Sequence, residues 1–340
     1  MTVTAPAPAA GGRNAAPIAR PGLPSPRGPV SEALIAYLNG HTQLLPPGED
    51  ADPWSGDAQL ALHLSYELHY RGLPGVADDL EWDLPVLALR RRLEERFLAA
   101  LREEVAGGAD LDAELTSLTT EHLDAEGTSH HLMRTGTAEQ FREYVAMRSV
   151  YHLKEADPQA WVIPRLEGAA KSAVVAVEHD EYGAGRVERM HAALYAAMMR
   201  ELGLDDAYGA YVDCAPASVL ADVNLMSLCG LRRSLRGAAI GQFAVVELTS
   251  SPGSARLVKA ARRLGLGPAT ERFYAEHVAA AAVHEQVLRH DVLAPLVAAE
   301  PELVPSIVFG IQASDVVAGR FVTETLGAWR TGESALHSPT

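Results

Sequence analysis

The 340-residue sequence is poor in aromatic residues, in cysteine and in positive charge. Phe, Tyr and Trp make up only 6% of it, while alanine and leucine are abundant. Strands favour aromatic and β-branched side chains and helices favour Ala and Leu, so this composition points away from a β-sandwich and towards packed helices. The two cysteines, Cys214 and Cys229, fall in no metal-binding or redox spacing and read as buried thiols of a reducing cytoplasm. Lys and Arg number 29 against 44 Asp and Glu, a net charge of −15 with a pI near 5.3. Such a balance argues against a nucleic-acid or anionic-membrane surface. No apolar run is long enough to span a bilayer, and the N-terminus lacks the basic start and apolar core of a signal peptide. There is also no Gly-rich phosphate loop between a strand and a helix, and no Ser-His-Asp hydrolase elbow. The expectation is a cytoplasmic protein whose partner is a small-molecule substrate, with no nucleic acid and no membrane.

Hydrophobic residues make up 48% of the chain, enough for a substantial core. Residues 1–29, rich in Ala, Pro and Gly without an apolar period, read as a disordered tail. A helix is expected from an N-cap at Ser31 through Leu38, and a loop over 46–57. Residues 58–70 and 84–105 have helical spacing, the second placing Leu89, Leu93, Phe97 and Leu101 on one face. Residues 107–136 are polar and irregular, with room for one short helix, and 137–154 form the next helix. After a break at 161–164, helices over 166–181 and 188–202 flank Gly183 and Gly185, which predict a kink or loosened turn. Further helices are expected over 217–233, 234–249, 254–264, 270–290 and 305–325. The class is all-α. The division is a tail over 1–29, a helical N-terminal extension over 30–136, a bundle over 137–330 and a flexible C-terminus over 331–340.

His277 and His284 lie seven residues apart, two turns along one face of the predicted 270–290 helix. Neutral imidazole is the commonest transition-metal ligand, although ordinary core or surface histidines give the same spacing. One turn after His277 stands Ala281, which offers no ligand atom. Metal sites in helical bundles draw carboxylates and imidazoles from several helices, and imidazoles suit iron. The candidates on largely apolar helices are Glu181 with His191, Glu247 within Ile240–Leu248, and Glu155. Burying Glu247 unpaired is costly, so it needs a metal, an arginine or a helix end as partner. An ideal helix would hold Glu181 and His191 about 15 Å apart, so the intervening glycines must bend the chain if the two share a site. Glu188 competes with Glu181, because Glu188 and His191 have the Glu-x-x-His spacing of ferritin-like sites. Surface carboxylates and a solvated helix end are the plain alternatives for these acids. His63, Glu67 and His69 read as amphipathic surface, and His130-His131 as exposed. Asp315 reads as a buried residue able to hydrogen-bond a ligand histidine.

Several of these segments occur together in one order: Lys154-Glu155-Ala156-Asp157-Pro158, Asp180-Glu181-Tyr182-Gly183-Ala184-Gly185, Arg189-Met190-His191, Glu247, and His277 with His284. In that order they resemble the haem-oxygenase-like diiron oxidases and oxygenases, the iron-containing redox enzymes. The resemblance covers residues 140 to 325, and Ser65-Tyr66-Glu67-Leu68-His69-Tyr70-Arg71-Gly72 resembles the extension of longer members. It implies a haem-oxygenase-like bundle of about seven core helices without haem. It implies Glu155, Glu181, His191, Glu247, His277 and His284 as metal ligands, and favours Glu181 over Glu188. The cofactor implied is Fe(II), two irons per chain, with O2 as co-substrate and an external electron donor. The substrate class implied is a small amine, amino acid or fatty acid, with a lean to the first two, and a homodimer is compatible with the resemblance. The family usually carries Asp where this chain has Ala281. The second iron is then weak, or Glu155 or another acid supplies the oxygen, or the site holds one iron, or activity is lost. A metal-free enzyme or a binding protein on the same bundle is the rival expectation.

Overall fold

The computed structural model describes residues 21–120 and 126–337, without the side chains of Ala281 and Ala282. The expected tail over 1–20 lies outside the described residues. Pro21–Gly28, also assigned to that tail, is tied down: Arg27 donates to the carbonyls of Val212 and Asp213, and the Ser25 amide donates to Asp213.

Helices carry the whole fold, and no strand occurs among the described residues. Helix α1 (Pro29–Leu38) begins on a proline, whose missing N–H costs nothing at that position. Ser31 is inside this helix rather than its cap. The capping acceptor comes from α2 (Gly56–Glu67), where Asp57 accepts from the amides of Val30 and Ser31 at 3.0 and 2.7 Å. Residues Ala58 to Glu67 of α2 are all buried, so His63 and Glu67 lie in the core and not on the expected amphipathic surface. Helix α3 (Leu84–Glu104) buries Leu89, Leu93, Phe97 and Leu101, the stripe its spacing predicts. Residues 107–136 hold two short helices, α4 (Leu111–Thr119) and α5 (Thr128–Arg134), where room for one was expected. His130 and His131 are half-buried there.

Helix α6 (Ala138–His152) starts with a full capping box between Thr137 and Gln140. A one-turn helix α7 (Asp157–Ala160) leads to α8 (Gly168–Glu181) and α9 (His191–Glu201). The rest is α10 (Ala217–Leu231), α11 (Arg236–Leu264), α12 (Pro268–Val287), α13 (Ala294–Ala299) and α14 (Val304–Thr331). Pro252 lies inside α11, joining segments that the sequence divides into two helices. Leu288–Leu293 forms a π-helical turn between α12 and α13, just past His284. No single helix is long and apolar enough to cross a membrane among the described residues. The pair Pro268–Ala299 and Pro301–Thr331 passes by length and composition only together, across a 107° bend.

The larger of two hydrophobic clusters runs through both the 30–136 and 137–330 segments, from Leu34 and Leu60 to Val317 and Trp329, and the smaller gathers Val174, Ile240, Leu288 and Ile307. The C-terminal residues 332–337 join the larger one: Ala335 is buried, its amide donates to Glu143, and the His337 amide donates to the Cys214 carbonyl. Helix α11 is the spine, packed along α12 and α14. At its crossing with α14 two glycines allow contact of the backbones: a Cβ on Gly310 would overlap the Ala238 carbonyl, and one on Gly241 the Ile307 carbonyl. Only hydrogen fits at either position, and this closeness sets where α11 carries Glu247. Gly310→Ala is expected to lower stability by about 1–3 kcal/mol, the usual range for overpacking. A urea midpoint equal to wild type would show that the crossing is looser than described.

Candidate metal centre

Five helices converge on one cavity of about 280 Å³. Glu155 follows the end of α6, Glu181 ends α8, and His191 opens α9. Glu247 lies midway along α11, and His277 and His284 face inward from α12. All six sequence candidates line this cavity. They fall into two groups whose ligand atoms lie within 4.8 Å of one another: Glu155 with His191 and His277, and Glu181 with Glu247 and His284. The groups meet where His191 Nδ1 approaches Glu181 Oε2 at 2.5 Å.

That meeting depends on the glycine segment. Gly183 and Gly185 have φ of 72° and 77°, left-handed values that glycine adopts without Cβ strain. A Cβ at Gly183 would also overlap the Met190 amide nitrogen. The chain therefore leaves the helix at Tyr182, runs through two short 3-10 turns and re-enters at His191. This brings together two side chains that a straight helix would keep about 15 Å apart. Glu188 rides on the second turn and is exposed, so Glu181 and not Glu188 occupies the site.

The imidazoles are oriented as metal ligands are. His277 Nδ1 lies 2.9 Å from the Phe273 carbonyl, one turn back, to which it can donate; Nε2 then faces Glu155, 3.5 Å away. His284 turns Nδ1 to Glu247 at 3.0 Å and to Glu181 at 3.7 Å, with Nε2 3.6 Å from Asp180. The His191 and His277 rings lie 4.3 Å apart, centroid to centroid.

Without a cation, Glu155 and His277 stabilise each other's charge, whereas Glu247 is pushed towards its neutral form. Burial resists ionising the Glu155 carboxyl, but His152 and His277 outweigh it and hold the group well below its ordinary range. Burial likewise opposes a proton on His277, yet Glu155 and the surrounding acceptors push it up to about 9. Burial raises Glu247 despite the His284 contact. Glu155 Oε2, His191 Nδ1 and His277 Nε2 are buried without an aligned hydrogen-bond partner, although His191 Nδ1 lies 2.5 Å from Glu181 Oε2 and His277 Nε2 3.5 Å from Glu155 Oε1. Buried polar atoms are nearly always satisfied, and an unlocated ion is one standard reason for exceptions. Three carboxylates and three imidazoles suit iron chemically. The residues present fit two metal ions.

Sequence reasoning missed several residues of the cavity wall. Glu178, three residues before Glu181 on α8, is 3% exposed, and neither of its carboxylate oxygens has a partner. Burial, then Glu181 and Glu247, push it up to about 9. Its signal was its spacing, one turn from Glu181 on the face shared with Val174 and Val177. His152, whose Nδ1 lies 3.0 Å from Glu155 Oε1, was equally legible as the last inward position of α6. Asp315 is exposed, and its neighbour Ser314 reaches the cavity instead, a slip of one residue in the helical face. Glu285 pairs with Arg289 at 3.2 Å, in keeping with its awkward angle. The Ala281 side chain lies outside the described residues.

Behind the centre, α2 buttresses the turn that carries Glu155. Lys154, with a fully buried side chain, pairs with Glu67, and its ammonium sits 4.0 Å over the Tyr70 ring. Glu67 also accepts from the Tyr208 hydroxyl at 2.6 Å. Arg71 donates to the Leu153 carbonyl at 2.9 Å, and Tyr182 donates to Asp157 at 2.9 Å, joining the Glu155 turn to the end of α8. Within this frame Ala156 holds a φ of 77°, strained for a residue with a Cβ. The segment 65–72 therefore reaches the centre through its neighbours, without contributing a ligand.

Among curated proteins none matches the chain. Residues 142–317, just over half of it, match the model of a family described as iron-containing redox enzyme. That span begins within α6 and ends within α14, and it contains all six inward-facing residues. With this match and an all-helical, haem-oxygenase-like fold, the chain belongs to the iron-containing redox enzyme family.

Proposed function

We propose that this protein is a non-haem diiron enzyme that uses O2 to oxidise a small organic substrate. The observation that carries the proposal is the pair of buried triads in contact across His191 and Glu181 on the wall of one cavity. Glu155, His191 and His277 would hold one Fe(II), and Glu181, Glu247 and His284 the other. Bound Fe(II) would supply the electrons that O2 needs to react.

The remaining wall suits a small substrate with an apolar body and a polar end. Phe243, Leu257, Phe273 and Phe321 give it apolar surface that excludes water. Arg148 and Asp222, paired at 2.7 Å, place a cation and an anion together on the same wall. The buried Tyr274 hydroxyl has no hydrogen-bond partner and is a ready contact for a polar group. These groups support the lean towards an amine or amino acid, N-oxygenation being one outcome. An external electron donor would return the irons to Fe(II) after turnover.

Ala281 favours a second reading, in which the bundle holds one iron or none and acts as a cofactor-independent enzyme or binding protein. Anaerobic titration with Fe(II), followed by rapid mixing with O2, separates the two. The diiron reading expects an iron-dependent absorbance change on mixing that an amine or amino-acid substrate accelerates. An iron-loaded protein inert to O2 would remove the oxygenase proposal.

A further inference from the structure

Glu178 has the most conspicuous unsatisfied side chain in the cavity. It is 3% exposed, and both carboxylate oxygens lack a hydrogen-bond partner. It lines the same cavity as the two triads and follows the inward face of α8 one turn before Glu181. The acids nearest to it electrostatically are Glu181, Glu247, Asp157 and Glu155, so the fold surrounds it with negative charge. An unpaired buried carboxyl costs stability with no return within the metal-free protein.

Charge counting gives it a role. The two triads contain three carboxylates, against four positive charges on two Fe(II) ions. A fourth carboxylate balances the centre. Ala281, one turn after His277, offers no ligand atom, so a fourth carboxylate has to come from another helix. We infer that Glu178 is an additional carboxylate ligand of the dinuclear centre, supplying from α8 the oxygen that Ala281 cannot supply from α12. The inference rests on the diiron reading above. As a ligand, Glu178 would have to bind as the ionised carboxylate.

The test uses the full chain, loaded anaerobically with Fe(II), desalted and analysed for iron, with wild type, Glu178→Gln and the double variant Glu178→Gln/Ala281→Asp in parallel. Wild type is expected to keep two irons per chain, Glu178→Gln one, and the double variant two. Melting curves check the folded state. Metal-free Glu178→Gln should melt at or above wild type, because an unpaired buried acid has gone, while its rise in Tm on adding Fe(II) should be smaller than that of wild type. A residue that merely packs the wall would move neither the iron count nor the metal-dependent part of Tm. Glu178→Gln retaining two irons would overturn the inference and leave the diiron reading intact. Wild type retaining fewer than two would overturn both.

Discussion

His277→Ala is expected to reduce the iron retained per chain from two to one. Its Nε2 belongs to the triad with Glu155 and His191, and its Nδ1 is already committed to the Phe273 carbonyl. No other described side chain on α12 reaches that triad, because His284 belongs to the other. Loss of an outer partner of a metal ligand alone costs about 10–100-fold in affinity, so loss of the ligand itself should cost more than about 100-fold. Glu247→Ala should reduce the count in the same way from the other side. If the two triads are separate sites, each variant keeps one iron and the double variant keeps none. Full retention of iron by either single variant would mean that its triad is not a site.

Lys154→Met is expected to destabilise the fold by about 3–5 kcal/mol, the cost of leaving one member of a buried ion pair unpaired. Glu67 would remain in the core with only the Tyr208 hydroxyl and the distant His63 ring, 3.7 Å away, as partners. The double variant Lys154→Met/Glu67→Leu should recover most of this, because replacing both members of such a pair with apolar residues is often neutral. Urea denaturation of the two variants measures it, and equal midpoints for wild type and Lys154→Met would contradict the buried pair. Iron affinity supplies the link to function. Glu155 follows Lys154 directly, so Lys154→Met should weaken iron binding even at temperatures where the variant is fully folded.

The helical class, the long amphipathic helices and the six inward-facing residues could all be read from the sequence. Helix α3 announced itself because its apolar stripe is regular. The kink at Gly183 and Gly185 was legible, since glycine inside a helical pattern marks a bend, but the choice of Glu181 over Glu188 came from the family resemblance. What escaped was information held between elements. Helix α2 is buried on every side, so no amphipathic period reports the core position of His63 and Glu67. The sequence divided α11 into helices over 234–249 and 254–264, but packing against α12 and α14 carries one helix through Pro252. The cap of α1 comes from Asp57, 26 residues after Ser31, beyond any local pattern. Glu178 was missed although its spacing puts it one turn before Glu181, and its burial on the cavity wall sets it apart from exposed Asp180. Ala281 was legible as a departure from the family pattern, whereas the candidate to replace it needed the fold.

The measurement that bears most directly on a dinuclear iron enzyme is the iron content of the full chain after anaerobic loading with Fe(II) and removal of unbound metal. The two triads predict two irons per chain, with both lost on chelation. Fewer than two irons per chain would contradict the dinuclear claim, and none at all would leave a metal-free bundle in its place.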